Sequence, residues 1–256
     1  MSLSERAGKE ILQVYNNEFD VAYKGDGSPL TEADRRSHRC IVNVLQSLTP
    51  DIPVLSEESE TIVFDRRREW KKFWLIDPLD GTKEFVKRNG EFTVNIALVD
   101  NGRPVLGVVH TPIKQFSHFA AQGVGAFKCI HGDREQVISI RTTRKNRVTM
   151  VASRSHSGAA VEVYRENLEN QFGNVDIVSM GSSLKICLVA EGTADIYPRL
   201  GPTSEWDTAA AHCILEAAGG SMINVQGQKL LYNKENILNP WFLACGDPGV
   251  DWTLFA

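Results

Sequence analysis

The sequence predicts an α/β protein in which a mainly antiparallel α+β half leads into an α/β half. Three observations carry that expectation. Two amphipathic helix patterns, residues 3–15 and 31–48, precede a run of alternating strands from Phe92 to Cys129 that turns at Asn101-Gly102. After Val148 strand and helix patterns alternate, the order that builds a sheet covered by helices. Between these stretches lies the polar, basic connector 141–147, read as a lobe boundary that places residues 1–140 in an N-terminal lobe and 141–256 in a C-terminal one.

Each element has a local reason. Leu3, Ala7, Ile11 and Val14 share one face of the first helix. Residues 23–29, Tyr-Lys-Gly-Asp-Gly-Ser-Pro, are dense in turn formers and read as a loop. Thr31 and Asp34 have capping-box spacing, with Ile41, Val44, Leu45 and Leu48 expected on the buried face behind them. Residues 53–56 form a short strand ending in Glu57-Glu58, and the charged stretch 59–72 is expected to be an exposed loop. Trp74-Leu75-Ile76-Asp77 reads as a buried strand that stops at Pro78, which has no N–H for a sheet ladder. Asp80, Gly81 and Thr82 follow at once, with Lys83, Lys87 and Arg88 placing positive charge beside the acidic turn. In the second half, strands are expected at 148–152, 175–178 and 194–197, and helices at about 158–170, 182–190 and 207–218.

A chain of 256 residues can bury a substantial core. Its net charge of −4 argues against non-specific binding of a nucleic acid polymer, and no apolar run approaches the ~18 residues of an integral membrane segment. The start of the chain has no secretory apolar region, so a cytoplasmic location is expected. The five cysteines are widely spaced without a Cys-x-x-Cys pair, which favours buried free thiols over disulfides or zinc.

Chemistry concentrates where acids crowd. Asp77 and Asp80 at one strand end repel each other and must be separated, protonated or neutralised by a cation. Oxygen-only donors favour Mg²⁺, Mn²⁺ or Ca²⁺ over zinc. The same spacing also suits an Asx-type turn in solvent. Glu57-Glu58 reads equally as a solvated pair, and Asp34 and Asp207 read equally as helix-start caps. Gly181-Ser182-Ser183-Leu184-Lys185 opens a helix with a glycine and two hydroxyls, a cradle for phosphate if its N–H groups are free. Arg154 and Arg199 read as anion contacts or as surface charges, and His156 as a loop histidine.

In order, Ser56-Glu57-Glu58-Ser59, Asp77-Pro78-Leu79-Asp80-Gly81-Thr82 and Trp206-Asp207-Thr208-Ala209-Ala210 resemble the signatures of the inositol monophosphatase superfamily of Mg²⁺-dependent, Li⁺-sensitive phosphatases, over nearly the whole chain. Within it, the stretches 77–85, 88–98, 153–156, 181–185, 197–199 and 201–203 resemble the bisphosphate-nucleotidase branch. Inositol monophosphatases typically carry Gly-Ser-Ala-Ala where this chain has Gly181-Ser182-Ser183-Leu184. The resemblance implies a layered α-β-α-β-α sugar-phosphatase fold with the active site between two lobes. It implies one Mg²⁺ on Glu57, Asp77 and the Leu79 carbonyl, a second on Asp77, Asp80 and Asp207, and in some relatives a third near Glu57. Thr82 and Asp34, with Glu57 in reach, would orient the attacking water. Gly81, Thr82, Gly181, Ser182, Lys185, Arg199 and Asp207 would meet the substrate, a small bisphosphorylated nucleotide, with Arg154 or His156 as further candidates.

The expected reaction is removal of the 3′-phosphate of adenosine 3′,5′-bisphosphate, with 3′-phosphoadenosine 5′-phosphosulfate as a second substrate. Two residues separate Asp77 from Asp80, whereas haloacid-dehalogenase phosphatases have one and use the first acid as nucleophile, so the spacing favours attack by water. Rival readings are hydrolysis of inositol phosphates or fructose 1,6-bisphosphate, and a non-catalytic nucleotide sensor, which loss of a metal ligand would mark. Monomer and homodimer are both compatible with the sequence. Peripheral association with the inner membrane is a property of similar bacterial enzymes, for which this sequence offers no amphipathic anchor beyond the ordinary first helix.

Overall fold

A computed structural model describes residues 1–25, 27, 29–60, 62–144, 146–154 and 158–256. His156, a candidate substrate contact, lies outside the described residues. Helix α1 (Ser2–Tyr15) buries Ala7, Ile11 and Val14, and a short hairpin, β1 (Ala22–Tyr23) and β2 (Pro29–Leu30), leads to α2 (Glu32–Leu48). The capping box of α2 is complete, but its buried stripe ends at Leu45, and Leu48 in the last turn is 73% exposed. After β3 (Val54–Ser56) the charged stretch is not wholly an exposed loop. It contains a one-turn helix, α3 (Phe64–Arg67), whose Arg67 is 3% exposed and donates to the carbonyls of Lys234 and Glu235. Those acceptors lie far along the chain, so a local charge pattern could not reveal them.

The next elements are β4 (Lys72–Asp80), α4 (Thr82–Val86), β5 (Thr93–Asp100), β6 (Arg103–Thr111), β7 (Phe116–Ala121), β8 (Gly125–Ile130) and β9 (Gln136–Ile138). With β3 at its edge they form a seven-stranded sheet in sequence order, antiparallel except for β3 on β4. Asn101 and Gly102 take the positive φ of a tight hairpin turn, as their dipeptide requires.

The second half continues with β10 (Val148–Ser153), α5 (Ala159–Phe172), β11 (Val175–Met180), α6 (Leu184–Ala190), β12 (Ile196–Arg199) and α7 (Glu205–Ala217). Two further strands, β13 (Ser221–Asn224) and β14 (Phe242–Cys245), complete a five-stranded sheet ordered β11-β10-β12-β14-β13. The first three run parallel, and β14 is antiparallel to both its neighbours.

Helices separate and cover the two sheets. Helices α1 and α2 lie on one face of the larger sheet, while α7 crosses the other against β4 to β8. Helix α6 packs on α7 and on β10, β12 and β14, and α5 covers the far face of the smaller sheet. The order is α-β-α-β-α, with one apolar cluster beneath α1 and α2, one filling the space between the two sheets around α6 and α7, and one beneath α5. Strand β5 shows the consequence. Its alternation is real, yet both faces are covered: Val94 and Ile96 join the cluster beneath α1 and α2, while Ala97 and Val99 join the one between the sheets. Helix α7 lies with its backbone against β6, because a Cβ on Gly107 would sit 2.2 Å from the Ala210 carbonyl oxygen. All five cysteines are free thiols. No described helix is long and apolar enough to cross a membrane.

Candidate metal centre and substrate cleft

Proline does not end β4. Its ladder with β5 runs from Lys72 opposite Asp100 to Asp77 opposite Asn95, breaks, and resumes with Asp80 opposite Thr93. Pro78 and Leu79 occupy a bulge, the one interior setting in which a strand tolerates a residue without an N–H. The bulge is pinned from outside by Ser37, whose hydroxyl donates to the Pro78 carbonyl at 2.7 Å, and from within by Leu79 N–H to Asp77 Oδ1 at 3.0 Å. Gly81, at φ 89°, then turns the chain into α4.

Asp34 and Asp207 share one device. Each is the third residue of its helix and closes a capping box, Asp34 with Thr31 and Asp207 with Ser204. Thr31 N–H and hydroxyl both donate to Asp34 Oδ2 at 2.7 Å, and Ser204 N–H donates to Asp207 Oδ2 at 2.8 Å. Capping occupies one oxygen and aims the other. For Asp34 that second oxygen receives the Thr82 hydroxyl at 3.2 Å. Capping therefore leaves Asp34 an oxygen for a second partner, here the Thr82 hydroxyl.

Glu57 after β3, Asp77 in β4 and Asp207 in α7 each bring a carboxylate oxygen within 4.8 Å of the other two. Asp77 is 1% exposed. Burial first, and then the charges of Glu57, Asp80 and Asp207, hold its carboxyl well above the usual range. Burial, followed by Asp80 and Glu57, pushes Asp207 up to about 8. Glu57 and Asp80 are also raised by burial, against the opposing pull of Lys24 on the former and of Lys185, Ser183 N–H and Asn95 on the latter. Four neighbouring acids whose pKa values are all raised call for protons or a cation, and all their donors are oxygen. The set fits a hard divalent ion. Lys24 already answers that demand: its ammonium sits 2.6 Å from Glu57 and 2.5 Å from Glu58.

Glu57, Asp77, Asp80 and Asp207 line a cleft of about 430 Å³ together with Lys185, Tyr197, Arg199 and Trp206. A larger surface groove of about 700 Å³ near the end of α1 contains none of the clustered acids. Lys185 is buried; burial lowers its pKa to about 8, and its Nζ donates to the Ser182 carbonyl at 2.6 Å. Arg199 donates to the Pro202 carbonyl, and its buried Nε has no partner among the described residues. The free N–H cradle expected at Gly181–Ser183 is not formed. Gly181 N–H donates to Glu91 and Ser183 N–H to Asp80, although Ser182 and Ser183 do line the cleft. Arg154 pairs with Glu91, and Arg88 turns away from the acidic turn to the carbonyls of Tyr15 and Asn17.

Sequence reasoning missed the partners of Asp80. Ser183 N–H at 2.5 Å, Asn95 at 3.2 Å and Thr93 at 3.5 Å all donate to its Oδ2. A signal existed, since Thr93 and Asn95 are polar residues on the face of β5 that continues into Ala97 and Val99. Lys24 left no such signal within its glycine-rich turn.

A fold of five alternating layers with an acid cluster at a bulged strand end defines a class of metal-dependent phosphatase, and a profile described as the inositol monophosphatase family matches residues 1–241. The chain belongs to that family. It is 50% identical over 243 residues to a protein of Escherichia coli O6:H1 named 3′(2′),5′-bisphosphate nucleotidase CysQ, covering 94% of this chain and 95% of that one. The crystal structure of CysQ from Bacteroides thetaiotaomicron is 45% identical with a TM-score of 0.84, covering 94% of this chain and 93% of its own. The extragenic suppressor protein suhB from Bartonella henselae, 24% identical, shares the fold with a TM-score of 0.81 over 99% of this chain and 95% of that one.

Proposed function

We propose that this chain is a Mg²⁺-dependent 3′(2′),5′-bisphosphate nucleotidase that removes the 3′-phosphate of adenosine 3′,5′-bisphosphate, with 3′-phosphoadenosine 5′-phosphosulfate as a second substrate, acting in the cytoplasm. The observation that carries the reading is the convergence of Glu57, Asp77 and Asp207 from three separate stretches of chain. Glu57, Asp77 and the Leu79 carbonyl would hold one Mg²⁺, and Asp77, Asp80 and Asp207 a second, with room for a third beside Glu57. In this division residues 1–140 carry most ligands, and residues 141–256 carry Asp207 and the nucleotide contacts. When bound, such ions acidify water, neutralise the phosphoryl oxygens and stabilise the leaving oxygen.

The chain's own groups orient the attack. The Thr82 hydroxyl has one proton and two acceptors, Asp34 Oδ1 and the Leu79 carbonyl, both at 3.2 Å. With the Leu79 carbonyl assigned to an ion, the proton goes to Asp34, and the Thr82 oxygen is left to accept from water. Asp34 suits the receiving role, because burial raises its carboxyl above the usual range despite the bonds from Thr31. Lys185 and Arg199 would bind the phosphate that is not cleaved, as cations lining the same cleft as the acids.

Phosphate release is to be measured from adenosine 3′,5′-bisphosphate, inositol 1-phosphate and fructose 1,6-bisphosphate, with and without Mg²⁺. The expected result is Mg²⁺-dependent preference for the nucleotide. A preference for inositol 1-phosphate would reject the reading.

A further inference from the structure

Glu91, in the turn between α4 and β5, takes no direct part in the reaction, yet it joins both halves of the cleft. It is 9% exposed. Its Oε2 accepts the Gly181 N–H at 2.8 Å, and Arg154 forks onto both its oxygens, Nε to Oε2 at 3.0 Å and Nη2 to Oε1 at 2.7 Å. The chains approach so closely here that a Cβ on Gly181 would lie 2.8 Å from the Glu91 carbonyl oxygen and 2.8 Å from Glu84 Cγ.

The two residues after Gly181 are strained and then committed. Ser182 has φ 49°, in the left-handed region that a residue with a side chain holds only under external constraint. Lys185 grips its carbonyl at 2.6 Å. One residue on, Ser183 N–H reaches Asp80 Oδ2 at 2.5 Å and its hydroxyl donates to Asn95 Oδ1 at 2.9 Å. The turn 181–183 is thus clamped at one end by Glu91 and at the other by Asp80.

We propose that Glu91 is a positioning residue for the metal centre: by holding Gly181 N–H it keeps the left-handed turn that delivers Ser183 N–H to Asp80, and so orients that carboxylate. The proposal rests on the reading of Asp80 as a metal ligand. Groups that orient ligands from outside the coordination sphere have measurable weight in both affinity and rate.

Two variants separate the Gly181 hydrogen bond from the Arg154 ion pair. Glu91→Gln keeps a carbonyl oxygen for Gly181 N–H but loses the charge that pairs with Arg154. Glu91→Asp keeps the charge and, one methylene shorter, withdraws from Gly181. The probes are Mn²⁺ titration by calorimetry without substrate, and kcat on whichever phosphomonoester the wild type hydrolyses best. Glu91→Asp is expected to weaken Mn²⁺ binding and lower kcat about tenfold each, while Glu91→Gln stays within about threefold of wild type in both. The reverse ranking would assign the effect to Arg154 and overturn the proposal. Mn²⁺ binding unchanged in both variants would also overturn it, leaving Glu91 a structural staple. If the wild type hydrolyses inositol 1-phosphate rather than the nucleotide, the nucleotidase reading fails while the Mn²⁺ titration still decides this one.

Discussion

The acidic and the basic groups of the site are built on opposite terms. Among the acids, burial raises the pKa of Glu57, Asp77, Asp80 and Asp207 alike, and Asp77 and Asp207 are raised further by their acidic neighbours. Among the cations, Lys185 has settled on the Ser182 carbonyl, Arg199 on the Pro202 carbonyl and, outside the cleft lining, Arg154 on Glu91. The acids are left short of positive charge, whereas the cations already hold protein partners, apart from the buried Arg199 Nε, and must exchange them to meet an anion. Metal loading is therefore expected to dominate stability and rate, and the cations to tune substrate affinity.

The largest effect that would sharpen this contrast comes from Asp207→Asn or Asp80→Asn. Turnover should fall by more than the ~100-fold that loss of an outer-shell partner costs. The amide at 207 can still cap Ser204 N–H, so the fold persists, and the metal-free protein should melt no lower than wild type because a mutually repelling acid is gone. Phosphate release and thermal unfolding check both halves. Undiminished activity in either variant would remove the metal assignment.

A smaller effect is expected from the cations. Arg199→Ala should raise KM for the bisphosphate about tenfold, the weight of one charge-assisted hydrogen bond, with kcat changed much less. Equal losses in kcat and kcat/KM would instead place Arg199 with the reacting groups.

The smallest effect is a slope. In the metal-free protein Asp207 keeps its proton up to about 8, whereas the unfolded chain releases it in the ordinary carboxylate range. Between those values the folded state binds more protons, so stability falls as pH rises towards 8. The melting temperature of metal-free protein should drop by on the order of a few degrees between roughly pH 6 and pH 8. Mg²⁺ should offset the drop, so the Mg²⁺-induced rise in melting temperature grows with pH. A metal-free melting temperature that climbs over this interval would mean the acids are already ionised.

Much of this contrast is legible in the chain before folding, and the illegible parts share a cause. The spacing of Asp77, Asp80 and Thr82 reports a local turn, and local turns leave local signatures. Pro78 reads as a strand end because a missing N–H has the same sequence mark whether the ladder stops or bulges. Asp34 and Asp207 read as caps or as chemical groups, and the capping boxes show that one carboxylate has oxygens enough for both tasks. Burial of Arg67, the hold of Ser183 on Asp80 and the approach of Lys24 to Glu57 and Glu58 arise between distant segments. No window of neighbouring residues contains them.

The contact of α7 with Gly107 bears on all of this from a distance. The helix rests on bare backbone at Ala210 and Cys213, so its height over the larger sheet is set by atoms that are no part of the acid cluster. The carboxylate at 207 inherits that height. A single methyl group added at Gly107 would have to push against the helix that carries Asp207, without altering any residue of the acid cluster.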